Sequence, residues 1–190
     1  MTYYFVYDLH LGAPNQLEGR YVIDWADERM IYGGDNLDLA NCLKKHSNSL
    51  QFAVDQAKKF AGWRFKSGNH ERQKDFDYLT KIPNSRVGYM HGDLIFWGWE
   101  KSKAYRAKDH GAGFLKRTFW VNALDALENG YDRKISSEDL DRFYDIAVAN
   151  DVDEIIVGHL HPKQILRVNY KGKILTVCPR GITALEIAQK

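Results

Sequence analysis

The chain is short of cysteine, carries no long apolar run and has almost no excess of either charge, and each shortage excludes something. Two cysteines, Cys42 and Cys178, in 190 residues cannot build a disulfide framework, which points to a reducing, cytoplasmic setting. No apolar stretch approaches the roughly 18 residues that a membrane-spanning helix needs, so no membrane span is expected. Met1 to Asp8 lacks a basic stretch followed by a long apolar one, and neither end carries a lipidation pattern, so no signal peptide or anchor is expected. Lys and Arg number 27 against 25 Asp and Glu, a net charge of only +2, too little for a polycation that coats nucleic acid through bulk charge. No repeat or low-complexity segment is present.

What remains is an ordinary globular composition, 44% hydrophobic and 27% charged, with a generous 13% of aromatics. The length suits a single domain over residues 1–190 with a modest insertion. Strand-like and helix-like patterns alternate, which predicts an α/β fold. Strands are predicted over Tyr3–Tyr7, Arg29–Tyr32, Trp63–Lys66, Arg86–Met90, Leu94–Trp99, Glu154–Val157, Gln164–Tyr170, Lys173–Val177 and Ile182–Ile187. The spacing of Leu50, Phe52, Ala53, Val54, Ala57, Phe60 and Ala61 predicts a helix. Two further helices are predicted over Ala112–Asn129 and Ser136–Asn150, and the stretch 101–150 is the best candidate for a helical insertion acting as a cap.

The strand ends carry the chemistry. Nearly every predicted strand end carries Asp, Asn or His beside a glycine: the set is Asp8, His10, Asp35, Asn69, His70, His91, His159 and His161, and five of the seven histidines are among them. In open α/β sheets, ligands sit outside the carboxyl ends of the strands. Asp8-Leu9-His10 and His159-Leu160-His161 each place two ligand-type side chains two residues apart, on one side of an extended backbone. With Asp35, Asn69 and His91 they supply seven oxygen or nitrogen donors. Imidazole mixed with carboxylate suits Mn, Fe, Zn or Ni rather than Mg, and seven donors suit two ions with positions left for water. Two such ions clamp a phosphate and generate a nucleophile from water near neutral pH.

Five ordered blocks carry a family resemblance: Asp8-Leu9-His10-Leu11-Gly12, Gly34-Asp35-Asn36-Leu37-Asp38, Gly68-Asn69-His70-Glu71, His91-Gly92-Asp93 and Gly158-His159-Leu160-His161. The chain resembles the calcineurin-like metallophosphoesterase superfamily over residues 8–161. The resemblance implies two packed mixed β-sheets flanked by helices. It implies one metal on Asp8, His10 and His161, a second on Asn69, His91 and His159, and Asp35 bridging both. It implies two divalent ions, Mn2+ first, and phosphoester or pyrophosphate hydrolysis by a metal-bridging hydroxide, with His70 assisting the leaving oxygen. Asp38 and Asp93 would orient histidines or waters from behind. Asn36 and the run Cys178-Pro179-Arg180-Gly181 depart from the family pattern without removing a ligand, and Arg180 becomes a candidate substrate contact.

The run Val152–Pro162 and the insertion after His91-Gly92-Asp93 resemble the UDP-2,3-diacylglucosamine pyrophosphohydrolase branch. The expected substrate is a phosphorylated small molecule or nucleotide. Lys101 to Arg117 holds six basic residues against one acidic, interleaved with aromatics, and Lys103 and Arg106 are candidate anion contacts there. A metal-dependent nuclease acting on nucleic acid is the alternative within the class. A non-catalytic protein-binding scaffold on the same fold is the alternative outside it.

Overall fold

The computed structural model describes residues 1–9, 11, 27–37, 47–66, 68, 79–107 and 134–189, without the side chains of 47–50 and 105–107. Strands β1 (Thr2–Tyr7) and β2 (Met30–Tyr32) are followed by helix α1 (Ser47–Ala61), a 3-10 turn (Gly62–Arg64), β3 (Thr80–Lys81) and β4 (Val87–Tyr89). Helices α2 (Asp93–Trp97), α3 (Trp99–Ala107) and α4 (Ser137–Ala149) come next, then β5 (Glu154–Val157), β6 (Leu166–Tyr170), β7 (Lys173–Val177) and β8 (Gly181–Glu186). Two mixed sheets result. One has the order β2-β1-β8, the other β3-β4-β5-β7-β6. β1 runs parallel to β2 and antiparallel to β8, while β4, β5 and β7 run parallel to one another between antiparallel β3 and β6.

The alternation of side chains along each strand builds three apolar layers. Tyr3, Phe5 and Tyr7 of β1 face the second sheet and pack with Tyr89, Ile156 and Cys178 between the sheets. The Tyr7 hydroxyl donates to the Ile156 carbonyl at 3.0 Å, tying the sheets together. Val6, on the opposite face of β1, packs with Tyr32 and Phe65 against Val54, Ala57 and Ala61 of α1. Ile155, Val157, Leu175 and Val177 face outward from the second sheet and receive Phe143 and Ala147 of α4 with Leu94, Ile95 and Phe96 of α2. The fold is therefore α/β, two mixed sheets flanked by helices, as the alternating pattern and the resemblance predict.

Local chemistry explains several boundaries. Ser136 caps α4 in a capping box: its side chain accepts from the Asp139 amide at 3.1 Å, and Asp139 accepts from the Ser136 amide at 3.0 Å. The stretch 101–150, expected to be a cap, thus ends in a helix that is part of the packed core, and its predicted helix Ala112–Asn129 lies outside the described residues. Lys171-Gly172 turns the hairpin between β6 and β7, with Lys171 at φ 49° and Gly172 at φ 79°.

Three readings change. Leu94–Trp99 is not a strand: Asp93–Trp97 is a helical turn and a half, closed by Gly98 at φ 78°, and Trp99 opens α3. Trp63–Lys66 is not a strand either, since Gly62–Arg64 forms a 3-10 turn and Phe65 alone bridges to Tyr32. The pairing partner of β4 on its outer side is the unanticipated two-residue β3. On α1, Phe52 and Phe60 are 64% and 59% exposed, so the buried stripe is the small-residue one rather than the phenylalanines. Among the described residues no helix is long and apolar enough to cross a membrane.

Candidate metal centre

The carboxyl ends of two parallel pairs meet at one edge of the sandwich. Asp8 follows β1 and Asp35 follows β2 in the first sheet, while His91 follows β4, and His159 and His161 follow β5, in the second. The Asp8 amide donates to the Gly34 carbonyl at 3.1 Å, and the Gly158 amide to the His91 carbonyl at 3.0 Å, which fixes each pair in register. The sheets are joined here by Asp8, whose Oδ2 accepts the His159 backbone N–H at 2.9 Å. Two glycines permit this approach. A Cβ on Gly158 would stand 2.5 Å from Asp8 Oδ2 and 2.6 Å from the Tyr7 ring, and one on Gly68 would stand 2.0 Å from Asp35 Oδ1.

The backbone is strained where these side chains leave it. Asp8, Asp35, His159 and His161 have φ of 57°, 53°, 70° and 47°, the left-handed region that non-glycine residues occupy at a cost on the order of 1 kcal/mol or more each. The extended geometry assumed for His159-Leu160-His161 therefore does not hold, and the two imidazoles go to different partners. His159 Nδ1 lies 3.0 Å from His91 Nε2, and His161 Nε2 lies 3.1 Å from Asp8 Oδ1.

A compact donor cluster results. His91 Nε2 lies 3.1 Å from Asp35 Oδ2 as well as 3.0 Å from His159 Nδ1, and ligand atoms of Asp35, His91 and His159 all lie within 4.8 Å of one another. His91 Nδ1 is 4.0 Å from Asp8 Oδ1, so the second carboxylate is adjacent. Asp8, Asp35, His91 and Asp93 are all buried. Burial pushes the His91 imidazole down, but the carboxylates of Asp35, Asp8 and Asp93 outweigh it and hold the pKa at about 9. Burial pushes His159 well below the usual histidine range, with the charge of His91 acting in the same direction. Burial raises the Asp8 carboxyl, yet the His161 ring beside it, and then His91, bring it below the usual carboxylate range.

These residues fit a divalent cation. One proton on His91 Nε2 cannot serve Asp35 and His159 equally, whereas an ion accepts a lone pair from all three. Two buried carboxylates require positive charge nearby, and a proton on His91 is a weak substitute for a divalent ion. The mixture of imidazole and carboxylate suits Mn, Fe, Zn or Ni.

Of the other residues singled out in the sequence, His10, Asn69, His70 and Asp38 lie outside the described residues, as does the side chain of Arg106. Asp93 sits in the first turn of α2, buried, with its charge acting on His91. Arg180 donates to the carbonyl of Leu9, the residue after Asp8, at 3.4 Å. Lys103 is exposed on α3, its ammonium 6.0 Å from the Trp99 ring centroid.

Two residues, Trp97 and Phe96, are absent from the sequence reading of the site. Trp97 packs edge-to-face on His159 with ring centroids 4.5 Å apart, and Phe96 lies parallel to the same ring at 6.1 Å. Both fall in the apolar run read as a strand, where neither carried a signal of contact with a histidine. Asn36, buried, donates from Nδ2 to the Val6 carbonyl at 3.1 Å and so braces the Asp35 turn against β1.

No family model matches the chain, and no curated protein matches it. Among solved structures, a cold-active protein-tyrosine phosphatase of a psychrophile, Shewanella sp., is 16% identical at a TM-score of 0.43, with 97% of this chain and 75% of that one covered. A second structure of a cold-active protein tyrosine phosphatase gives 16% and 0.42, covering 97% and 73%. A protein from Staphylococcus aureus provisionally described as a 5′-nucleotidase, in complex with α-ketoglutarate, gives 17% and 0.40, covering 96% and 50%. Likeness at this level leaves the function to be argued from the site.

Proposed function

We propose that the protein is a metal-dependent phosphohydrolase with a dinuclear centre. The observation that carries this reading is the convergence of Asp35, His91 and His159 within 4.8 Å, drawn from both sheets, with the Asp8–His161 pair alongside. Asp35, His91 and His159 would hold one ion, and Asp8 and His161 would hold the other, with Asp35 shared. The resemblance implies that His10 and Asn69 would complete the two sets. Divalent ions there supply Lewis acidity toward a phosphoryl oxygen and lower the pKa of bound water.

The chain's own residues do the rest. Asp8 and Asp35 hold negative charge in a buried site and so select for cations. Phe96 and Trp97 fix the His159 ring and exclude water from its apolar side. Arg180, bonded to the Leu9 carbonyl, would offer its guanidinium to a phosphoryl oxygen. His70 would place its proton on the departing oxygen.

The test is hydrolysis of bis(p-nitrophenyl) phosphate and p-nitrophenyl phosphate by Mn2+-loaded protein, with metal content measured in parallel. Bound metal with turnover of either ester, abolished in Asp35→Asn, is the expected result. Stoichiometric metal with no turnover of any phosphoester or pyrophosphate would favour the scaffold reading. No metal binding at all would sink the proposal.

A further inference from the structure

His159 is held on one side by the end of a very short helix. The χ2 torsion of a histidine has two broad wells, so the side chain by itself does not choose which ring edge faces the cluster. His159 turns Nδ1 toward His91 at 3.0 Å, with the Trp97 ring 4.5 Å and the Phe96 ring 6.1 Å from its own. Phe96 and Trp97 are the last two of the five residues of α2, a helix too short to hold its own shape. The break at Gly98, with φ of 78°, leaves the carbonyls of the last turn in need of donors. Leu94 finds one in the Gly98 amide at 3.1 Å, and Ile95 finds one in Arg142 of α4, whose Nε donates to its carbonyl at 2.6 Å. The same guanidinium donates to the buried Asp139 at 2.6 Å and to Glu138, so it is anchored on α4 where it reaches α2. A Cβ on Gly98 would stand 3.9 Å from Arg142 Cδ, so the side chain lies along the break itself.

We propose that Arg142 is a positioning residue for His159, acting through the Ile95 carbonyl and the terminal turn of α2. The proposal rests on the metal-dependent reading of the site and adds to it a residue outside the donor cluster. Leu94, Ile95 and Phe96 also pack on Phe143 and Ala147, but burial of apolar surface is non-directional and leaves a helical turn free to roll by small angles. A charge-assisted bond from a planar fork already fixed on two carboxylates sets that angle. Phe96 and Trp97 follow Ile95 directly in the chain, so a turn that rolls about its axis carries both rings off His159 together. The imidazole then loses what selects Nδ1 for the cluster, while its backbone stays in place through the amide bond to Asp8 at 2.9 Å. Loss of Arg142 therefore acts on ring orientation, and through it on metal and turnover, rather than on substrate binding.

The experiment compares wild type, Arg142→Met and Ser136→Ala, the last weakening the start of α4 while leaving the bond to Ile95. In metal-free protein, proton–nitrogen NMR of the imidazoles reads the His159 ring directly. One ring environment is expected in wild type and in Ser136→Ala, and a doubled or broadened one in Arg142→Met. Mn2+ affinity and kcat for bis(p-nitrophenyl) phosphate are each expected to fall about tenfold in Arg142→Met, with KM within about twofold of wild type. A wild-type His159 ring signal in Arg142→Met overturns the proposal. Equal losses in Ser136→Ala also overturn it, since they would trace to a weakened α4. Where Arg142→Met fails to fold because Asp139 is left buried without its guanidinium, the double variant Asp139→Asn/Arg142→Met removes both charges and is read in the same way. If wild type hydrolyses no ester, the phosphohydrolase reading fails separately, and the ring signal still decides the role of Arg142.

Discussion

Metal binding to this site must displace a proton from His91, and the structure sets the size of the effect. The ring is buried between Asp35 and His159 with Asp8 and Asp93 near, and its pKa stands at about 9 against an ordinary 6.5. Two consequences follow by linkage. In the metal-free protein the His91 proton is held more tightly folded than unfolded. Its stabilisation is therefore complete below about pH 6.5 and is lost as pH rises through 9, a decline on the order of 3 kcal/mol from a shift of this size. For the metal, the sign is opposite: the ion held by His91 would release this proton, so its apparent affinity rises toward pH 9 and then levels. Between pH 7 and pH 9 the gain is roughly fiftyfold from this group alone. Mn2+ titration calorimetry in buffers of differing ionisation enthalpy counts the protons released, and urea unfolding with and without Mn2+ at pH 6.5 and 9 reads the stability. About one proton released from His91 as its site fills at pH 7 is expected, with metal protecting the fold most at pH 9. Affinity flat from pH 7 to 9 in a folded protein would refute the charge balance described for His91.

Gly158→Ala drives a methyl to 2.5 Å from Asp8 Oδ2, so unfolding free energy should drop by about 1–3 kcal/mol in urea titrations and metal affinity should fall with it. Asp35→Asn removes the nearest carboxylate from His91, so hydrolysis should be lost while circular dichroism stays native. The His91 pKa, followed by NMR, should drop below the wild-type value of about 9. Ser136→Ala deletes one half of the α4 capping box and should cost about 1 kcal/mol with kcat intact, since the Ser136 side chain bonds to the Asp139 amide and not to a donor of the metal cluster. Normal stability in that variant would mean that Asp139 and Arg142 hold the helix start without the cap.

Part of this was legible residue by residue. The helix over Ser136–Asn150 declared itself through a serine cap and apolar residues at helical spacing, and β5, β7 and the Lys171-Gly172 turn through short branched runs bounded by turn residues. These are local signals, settled by the backbone and the nearest neighbours. Leu94-Ile95-Phe96-Trp97 carried no such signal, because a short run of apolar residues buried on every side looks alike as strand or helix. Left-handed Gly92 and Gly98 at its two ends decided for helix. The donor residues themselves, Asp8, Asp35, His91, His159 and His161, are marked in the sequence by their places at predicted strand ends and by the ordered blocks that hold them. That they meet is a property of tertiary structure. Asp8 and Asp35 belong to one sheet and the three histidines to the other, and the packing of Tyr7 and Phe5 against Tyr89 and Ile156, with the Tyr7 hydroxyl bond to Ile156 and the His159 amide bond to Asp8, brings the two strand edges together. Which imidazole serves which carboxylate is likewise decided by backbone angles, which spacing along the chain does not encode.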